Sequence, residues 1–410
     1  MPAVDTIAPL TAFADRGPGS DAERRAALWL RDELGSGGRW ARLEPFWCRP
    51  NRALAHAWHA LLGLAGGLVT VWYPAVGGLI VLAALLCVLA DEWTGVSPGR
   101  RLTRERASQN VVSGREDAGE DRVRLILSAN YDAGRMGLVH RDTPRRMAAG
   151  LRRACGGRAP GWLAWLAAML CWLLVIAAAR LGGSHGTAIG ALQLPPTIAL
   201  VLVVALLVEL ASSPFGPAAS DNAGGVAVAL ALARSLDAAP PRVLRVELVL
   251  EGAGEGGGIG LRRHLRARRR ELAPGTALVL GIAACGAGSP RWWHTDGPLI
   301  PLAYHPRLRE LCADLSRSEP HLGAVPHRGR GATPAFHART AGLPAIAIGC
   351  LDERGLPPRS HQPADNAQAI DRSAVDATIE LALMLVDAID AEFAARRGDA
   401  SGAPSSLTPA

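Results

Sequence analysis

The sequence has no lysine: all 44 of its basic residues are arginine. With its abundant alanine and glycine, this bias reads as the imprint of a GC-rich bacterial genome rather than of a function. Aromatic residues are scarce, at 5%. No basic stripe is interleaved with them, so the net charge of +7 does not imply nucleic-acid binding. Paired cysteines are missing too. The seven cysteines, at 48, 87, 155, 171, 285, 312 and 350, form no C-x-x-C pair, and two fall in apolar tracts. That pattern excludes a disulfide framework and points to reduced thiols. The first twenty residues lack a basic segment followed by an apolar core, so no cleaved signal peptide is expected.

What the chain has in excess is apolar sequence, 49% of its 410 residues. Ala53–Ala90 is almost uncharged and breaks near Trp72-Tyr73-Pro74, which suits two membrane spans of ~20 residues joined by an interfacial turn. A buried pair of core helices is the ordinary alternative. Trp162–Ala179 and Leu194–Leu210 form a second pair, separated by a Gly-rich loop carrying only Arg180 and His185. Arginines crowd the outer flanks of both pairs: Arg49, Arg52, Arg100, Arg101, Arg104, Arg106 and the cluster from Arg145 to Arg158. By the positive-inside rule both turns face outward, while both termini and the remaining chain are cytoplasmic. The expected protein is therefore a four-span protein of the bacterial inner membrane. His56 and His59, one helical turn apart, and Glu209 are expected at the interface. Spans without internal charge offer a transporter no pathway, which makes that the weaker reading.

The rest alternates helix and strand, the signature of an α/β sandwich. A helix is expected over 21–35 with Asp21 as N-cap, followed by a strand at 39–48. Strand-like runs follow at Gln109–Ser113 and Val123–Ser128, the second leading into Asn130-Tyr131-Asp132. A helix opens at Ser220-Asp221-Asn222 and runs to Leu236. Val243–Leu250 reads as a strand that empties into the glycine-rich turn Glu251–Leu261, where Glu255 is the conspicuous charge. Ala277–Ala284 and Leu343–Ile348 are further strands, and His305–Leu315 and Ser373–Ala395 further helices, with a loop over Arg359–Asp371 and a small polar tail.

Several of these stretches, in order, resemble the di-zinc aminopeptidases of metallopeptidase clan MH, family twenty-eight. The residues are Asn130-Tyr131-Asp132, Asp221-Asn222-Ala223-Gly224-Gly225, Ala253-Gly254-Glu255 through Gly260, Ala283, Gly331 to Phe336, Gly342-Leu343-Pro344-Ala345-Ile346 and His361-Gln362-Pro363-Ala364-Asp365. The resemblance spans roughly residues 21–50 and 105–395. It implies a mixed-sheet α/β/α sandwich of the zinc aminopeptidase type, with the first hairpin inserted between early strands and the second between Asn130 and Asp221, two positions on the rim of the family's active site. It also implies a degenerate site. The positions of one zinc read Asn130, Asp221 and Ala283, and an amide and a methyl group do not hold zinc. The positions of the other read Asp221, Glu255 and His361, all competent ligands, so one zinc is the implied cofactor. The general-base position is Gly254; Glu251 is a weak substitute. Asp132, whose family role is to orient the missing histidine, loses that role, and Asp132, Asn222 and Thr333 are expected to line the cleft.

Each survivor also has an ordinary reading. Asp221 at a helix start suits an N-cap, Glu255 in a glycine turn suits backbone N–H groups, and His361 in a Pro-containing loop suits the surface. The expected organisation places a helix and strand of the peptidase-like domain at 1–52, transmembrane hairpins at 53–92 and 161–212, the domain's continuation at 93–160 and 213–395, and a disordered tail at 396–410. Two functions compete: a membrane-anchored pseudopeptidase that binds a ligand or partner, and an active single-metal aminopeptidase using Asp221, Glu255 and His361. The lipid bilayer and a peptide or membrane-proximal ligand are the expected partners.

Overall fold

The computed structural model describes residues 3–116, 122–157 and 159–399. At its centre is a nine-stranded sheet in the order β1-β2-β4-β3-β5-β9-β6-β7, with β8 paired to β6. The strands are β1 (Trp40–Cys48), β2 (Arg106–Gly114), β3 (Val123–Asn130), β4 (Leu244–Glu251), β5 (Ala277–Ile282), β6 (Ser289–Asp296), β7 (Leu302–Ala303), β8 (Val325–Arg328) and β9 (Ala345–Leu351). Pairings among β4, β3, β5 and β9 are parallel; β1 with β2, β2 with β4, and β6 with β9 and β7 are antiparallel. The sheet is mixed, as expected. Its middle strands are continuous apolar runs because both faces are covered: Leu125, Ile126 and Leu127 of β3 and Leu278, Val279 and Leu280 of β5 are buried in succession.

The helices are α1 (Asp21–Ser36), α2 (Arg52–Val69), α3 (Pro74–Thr94), α4 (Asp142–Ala154), α5 (Trp162–Leu181), α6 (Thr187–Ser212), α7 (Gly225–Ala238), α8 (Ile259–Ala267), α9 (Pro306–Ser318) and α10 (Arg372–Asp399). Several boundaries differ from expectation for local reasons. Ser20, not Asp21, caps α1: its hydroxyl accepts the Glu23 N–H, while Asp21 pairs with Arg24 and Arg25 on the surface. The basic connector contains the amphipathic helix α4, and Arg158 lies outside the described residues. Strands β6 to β8 were not foreseen, because Ser289–Asp296 carries Pro, Arg and His among its apolar residues. The tail from residue 400 also lies outside the described residues.

Helices α2, α3, α5 and α6 form two hairpins that pack into one bundle, in which α2 touches α3 and α6, and α5 touches the same two. Close approach within the first hairpin depends on glycine. A Cβ on Gly77 would lie 2.4 Å from the Thr70 nitrogen. The last helix starts earlier than expected, at Thr187, and carries Pro195 and Pro196 internally. Arg180 is not in the turn but buried in α5, donating to Gln193, whose amide donates in turn to the Gly67 carbonyl. Among the described residues, three helices are long and apolar enough to cross a membrane: α3, α5 and α6. The fourth expected span, α2, falls short because Arg52, His56 and His59 crowd its first two turns. The bundle's outer surface is apolar, with Leu79 67%, Val175 66% and Leu202 58% exposed, a surface suited to lipid rather than water.

His56 and His59 do not face outward from the bundle. Both are buried where α2 meets α3, with His56 Nε2 3.5 Å from Asp91. Asp91 and Glu92, near the end of α3, fasten the hairpin to the sheet domain. Asp91 accepts twice from the guanidinium of Arg100, at 2.8 Å each, and Arg100 lies 3.5 Å from the Gly256 carbonyl. Glu92 pairs with Arg52, and its carbonyl accepts from Arg262 at the start of α8. The glycine turn between β4 and α8 is thus braced from behind by the first hairpin.

Candidate metal centre and cleft

The carboxyl ends of parallel β3, β4 and β5 meet the irregular turn that precedes α7, the place where open α/β sheets collect functional groups. Asn130 and Asp132 leave β3, the glycine turn leaves β4, and Ala283 follows β5. The glycine turn has few side chains of its own and is held through its backbone. The N–H of Ala253 donates to Glu23 (2.7 Å), that of Gly252 to Asn110 (3.2 Å), and that of Glu255 to Asp132 (2.9 Å). Asp132 therefore keeps a positioning role, contrary to expectation: it anchors the backbone of Glu255. Burial raises the Asp132 carboxyl well above its usual range, and nearby Glu255 and Glu23 add to this. Glu23, pushed by burial to about 7, also accepts from Ser108 and Gly19. Its only mark in the sequence is the Ser20-x-x-Glu23 spacing of a helix start.

Asp221 does not cap a helix. Its backbone is extended (φ −127°, ψ 92°) inside the turn Ala219–Gly224, and its carboxylate accepts the Ser360 hydroxyl. Glu255 does not bind backbone N–H groups through its side chain; Oε1 accepts from the Asn222 amide at 2.7 Å. Nor is His361 a surface residue. Its side chain is 20% exposed and stacks on His140 with ring centroids 4.3 Å apart. Its backbone adopts φ 59°, a left-handed conformation that costs a non-glycine residue on the order of 1 kcal/mol and recurs at functional sites. Its Nδ1 lies 3.1 Å from the Arg135 carbonyl. A carbonyl only accepts, so Nδ1 donates a proton to it and Nε2 is the ring nitrogen that faces the two carboxylates. Asp365 joins the two loops, accepting from the N–H groups of Ser220 (2.8 Å) and Asp221 (3.3 Å).

The structure thus brings Asp221, Glu255 and His361 together. His361 Nε2 is 3.8 Å from Asp221 Oδ2 and 3.7 Å from Glu255 Oε2. Two donors sharing a tetrahedral zinc at ~2.1 Å stand about 3.4 Å apart, so the observed gaps exceed that spacing by a few tenths of an ångström. As it stands, no group of three or more His, Cys, Asp or Glu among the described residues is drawn in tightly enough to form a metal cluster. The three behave as an ion-paired set. Burial works against a charged His361, but Glu255 and Asp221 outweigh it and raise its pKa; burial raises Glu255, and His361 pulls it back.

The other sequence-expected positions lie apart from this convergence. Glu251 is fully buried, accepting from the Ser128 hydroxyl (2.8 Å) and the Leu261 N–H (3.1 Å), and burial pushes it to about 8. Both its oxygens are engaged in the core, so it is no substitute base. A Cβ at Gly254 would stand 2.3 Å from Asn130 Cγ, so Asn130 occupies the space a side chain there would need. Thr333 shares a hydrogen bond with Tyr304 and donates its N–H to Asp296; Gly331, two residues earlier, reaches the cleft wall instead. Ala283 donates its N–H to Ile348.

Glu255 and His361 line a cavity of about 720 Å³ that is also lined by residues of the bundle. The cleft rim is tied to α6: Glu209 accepts the Leu138 N–H at 3.0 Å, Met136 donates to the Pro214 carbonyl, and Arg135 packs over Phe215. Glu209 is thus a fastening between α6 and the rim.

This architecture is a mixed α/β fold that matches the fold of zinc aminopeptidases. Residues 207–386, which carry Asp221, Glu255 and His361, match the model of peptidase family M28. No curated protein matches by sequence. Among solved structures, an aminopeptidase from Aneurinibacillus sp. strain AM-1 matches with a TM-score of 0.55 at 14% identity, covering 94% of this chain and 92% of that one. A zinc aminopeptidase from Bacillus subtilis gives 0.54 at 12% identity, with 94% of each chain covered. Porphyromonas gingivalis glutaminyl cyclase gives 0.52 at 15% identity, covering 94% and 97%. The chain resembles peptidase family M28, and it shares the fold of these enzymes.

Proposed function

We propose that this chain is a membrane-anchored, M28-like pseudopeptidase that holds one zinc ion through Asp221, Glu255 and His361 and binds a ligand in the adjoining cleft without efficient hydrolysis. The observation that carries the reading is the pairing of a retained donor set with a missing base. His361 Nε2 faces both the Asp221 and the Glu255 carboxylates, at 3.8 and 3.7 Å, while Gly254 has no side chain and Asn130 fills its space. Three protein ligands with a side left open suit a single zinc, which when bound supplies Lewis-acid polarisation of a ligand oxygen. Asn222 and Ser360 orient the two carboxylates, Asp132 and Asp365 set their backbones, and Arg135 fixes the imidazole. None of these groups is placed to take a proton from a water molecule in the cleft. Absence of a general base costs on the order of a hundred- to ten-thousand-fold in rate.

The anchor is a four-helix, two-hairpin insertion in which α2 joins α3, α5 and α6 as the fourth span. Arginines flank the hairpins on the domain side, which supports a cytoplasmic domain and outward-facing turns. Metal analysis of the purified full-length protein tests the central claim. About one zinc per chain is expected, with Glu255→Ala and His361→Ala each weakening affinity by more than about a hundredfold and aminopeptidase turnover near background throughout. Turnover abolished by either substitution would show an active single-metal hydrolase instead.

A further inference from the structure

The cavity beside the candidate centre has two chemically distinct linings. Along α6, Val203, Leu206, Leu207 and Leu210 line it at helical i, i+3, i+4, i+7 spacing, one apolar stripe. Leu206 is 38% exposed and stands one helical turn from Leu202, which is 58% exposed, so the apolar stripe runs on along the same side of α6 into the bundle's apolar surface. The same cavity is also lined by Arg52, Arg104, Arg106 and Arg135, with Glu255 the one carboxylate among its described lining residues. Arg52 is satisfied by Glu92 and lies over the Trp162 ring. The other three arginines have no carboxylate within ion-pair distance among the described residues; Arg106 and Arg135 bond only carbonyls, of Gly19 and Ser213. Arg106 and Arg135 are close enough that, after burial, Arg106 is the neighbour that lowers the Arg135 pKa.

We propose that this cavity binds one anionic amphiphile, its acidic head among Arg104, Arg106 and Arg135 and its hydrocarbon chain along the α6 stripe. The inference rests on the reading of the bundle as membrane-spanning. An unpaired cationic lining is complementary to an anion, and an apolar stripe continuous with a lipid-facing surface is complementary to a chain already dissolved in the bilayer. A volume of about 720 Å³ falls in the ~300–1,000 Å³ range of sites that take a single small ligand, and so limits the occupant to one molecule. The head then shares the cavity with Glu255 and His361, and one of its arginines, Arg135, contacts His361 through its carbonyl.

The full-length protein in phosphatidylcholine nanodiscs is titrated with oleoyl lysophosphatidic acid, oleoyl lysophosphatidylcholine and inorganic phosphate, with binding read by native mass spectrometry. Lysophosphatidic acid is expected to bind at least tenfold more tightly than the zwitterionic lipid. The double variant Arg104→Gln/Arg106→Gln should lose about thirtyfold of that affinity, at roughly one surface-charge contribution per arginine, and leave lysophosphatidylcholine binding unchanged. Leu207→Trp, which fills the stripe, should weaken both lipids. Equal binding of the two lipids, indifference to the arginine substitutions, or phosphate alone matching lysophosphatidic acid would overturn the proposal; the last result would mark a site for free anions. Zinc content, measured on the same samples, separates the two ideas. Zinc with no lipid preference defeats this inference alone, and lipid preference without zinc defeats the metal reading alone.

Discussion

Gly254 and Asn130 form a matched pair, and that match predicts how the site responds to repair. Gly254→Glu restores a carboxylate in name, but its Cβ meets the Asn130 amide. The expected outcome is a destabilised protein with no gain in aminopeptidase turnover, checked by thermal unfolding and a chromogenic amino-acid amide. Glu251 makes a second residue-scale prediction. Its pKa is about 8 in the fold against an ordinary 4.5. A carboxyl raised on folding contributes its stability fully below the ordinary value, and loses it as pH rises through the folded value. Glu251→Gln keeps the hydrogen-bonding shape without the charge. It should match the native protein near pH 4.5 and exceed its melting temperature by pH 9, the difference growing across that window by up to a few kcal/mol. At this scale the legible features were identities: Asp221, Glu255 and His361 stood out as donors, and Gly254 as a gap. Illegible were the partners that aim them. Glu23 and Arg135 reach the site through backbone groups of distant segments, and a carbonyl acceptor leaves no signature in side-chain spacing.

At the scale of elements, strands and hairpins with strong apolar periodicity could be read directly, because burial on both faces of β3 and β5 demands continuous apolar sequence. Helix α4 and strands β6 to β8 could not. Arginine-rich α4 buries only Ala149, and the outer strands keep polar residues that face partners from other layers. The start of α7 was misplaced because Ser220-Asp221-Asn222 has the composition of a cap yet adopts an extended kink, held by Asp365 from the C-terminal half. The contact between α3 and the sheet domain gives a prediction at this scale. Asp91→Ala leaves Arg100 buried without its carboxylate, a loss of about 3–5 kcal/mol when one partner of a buried pair is removed. Limited proteolysis is then expected to cut the 95–105 connector faster in the variant than in the native protein.

For the whole molecule, orientation is the decisive quantity, and the cytoplasmic domain proposed from the arginine distribution can be tested directly. Gly186, in the turn between α5 and α6, has open space around its Cα, so Gly186→Cys should fold normally. In a Cys155→Ser background, a membrane-impermeant maleimide applied to intact cells should label it. Native Cys155, exposed on the domain side after α4, should react only after the cells are opened. The reverse pattern would invert the assigned topology and place the cleft outside.

The bracing of the glycine turn has one more consequence. The first hairpin delivers Asp91 and Glu92 to Arg52, Arg100 and Arg262, so its end serves as the counter-ion of the cationic ground behind that turn. Electrically, the sheet domain and the first hairpin are a single salt rather than a cargo and its tether. A water-soluble version made by deleting α2 and α3 would leave Arg100 and Arg262 as naked guanidinium groups against the turn that carries Glu255. Solubilising this protein therefore means neutralising those arginines as well as removing its apolar helices.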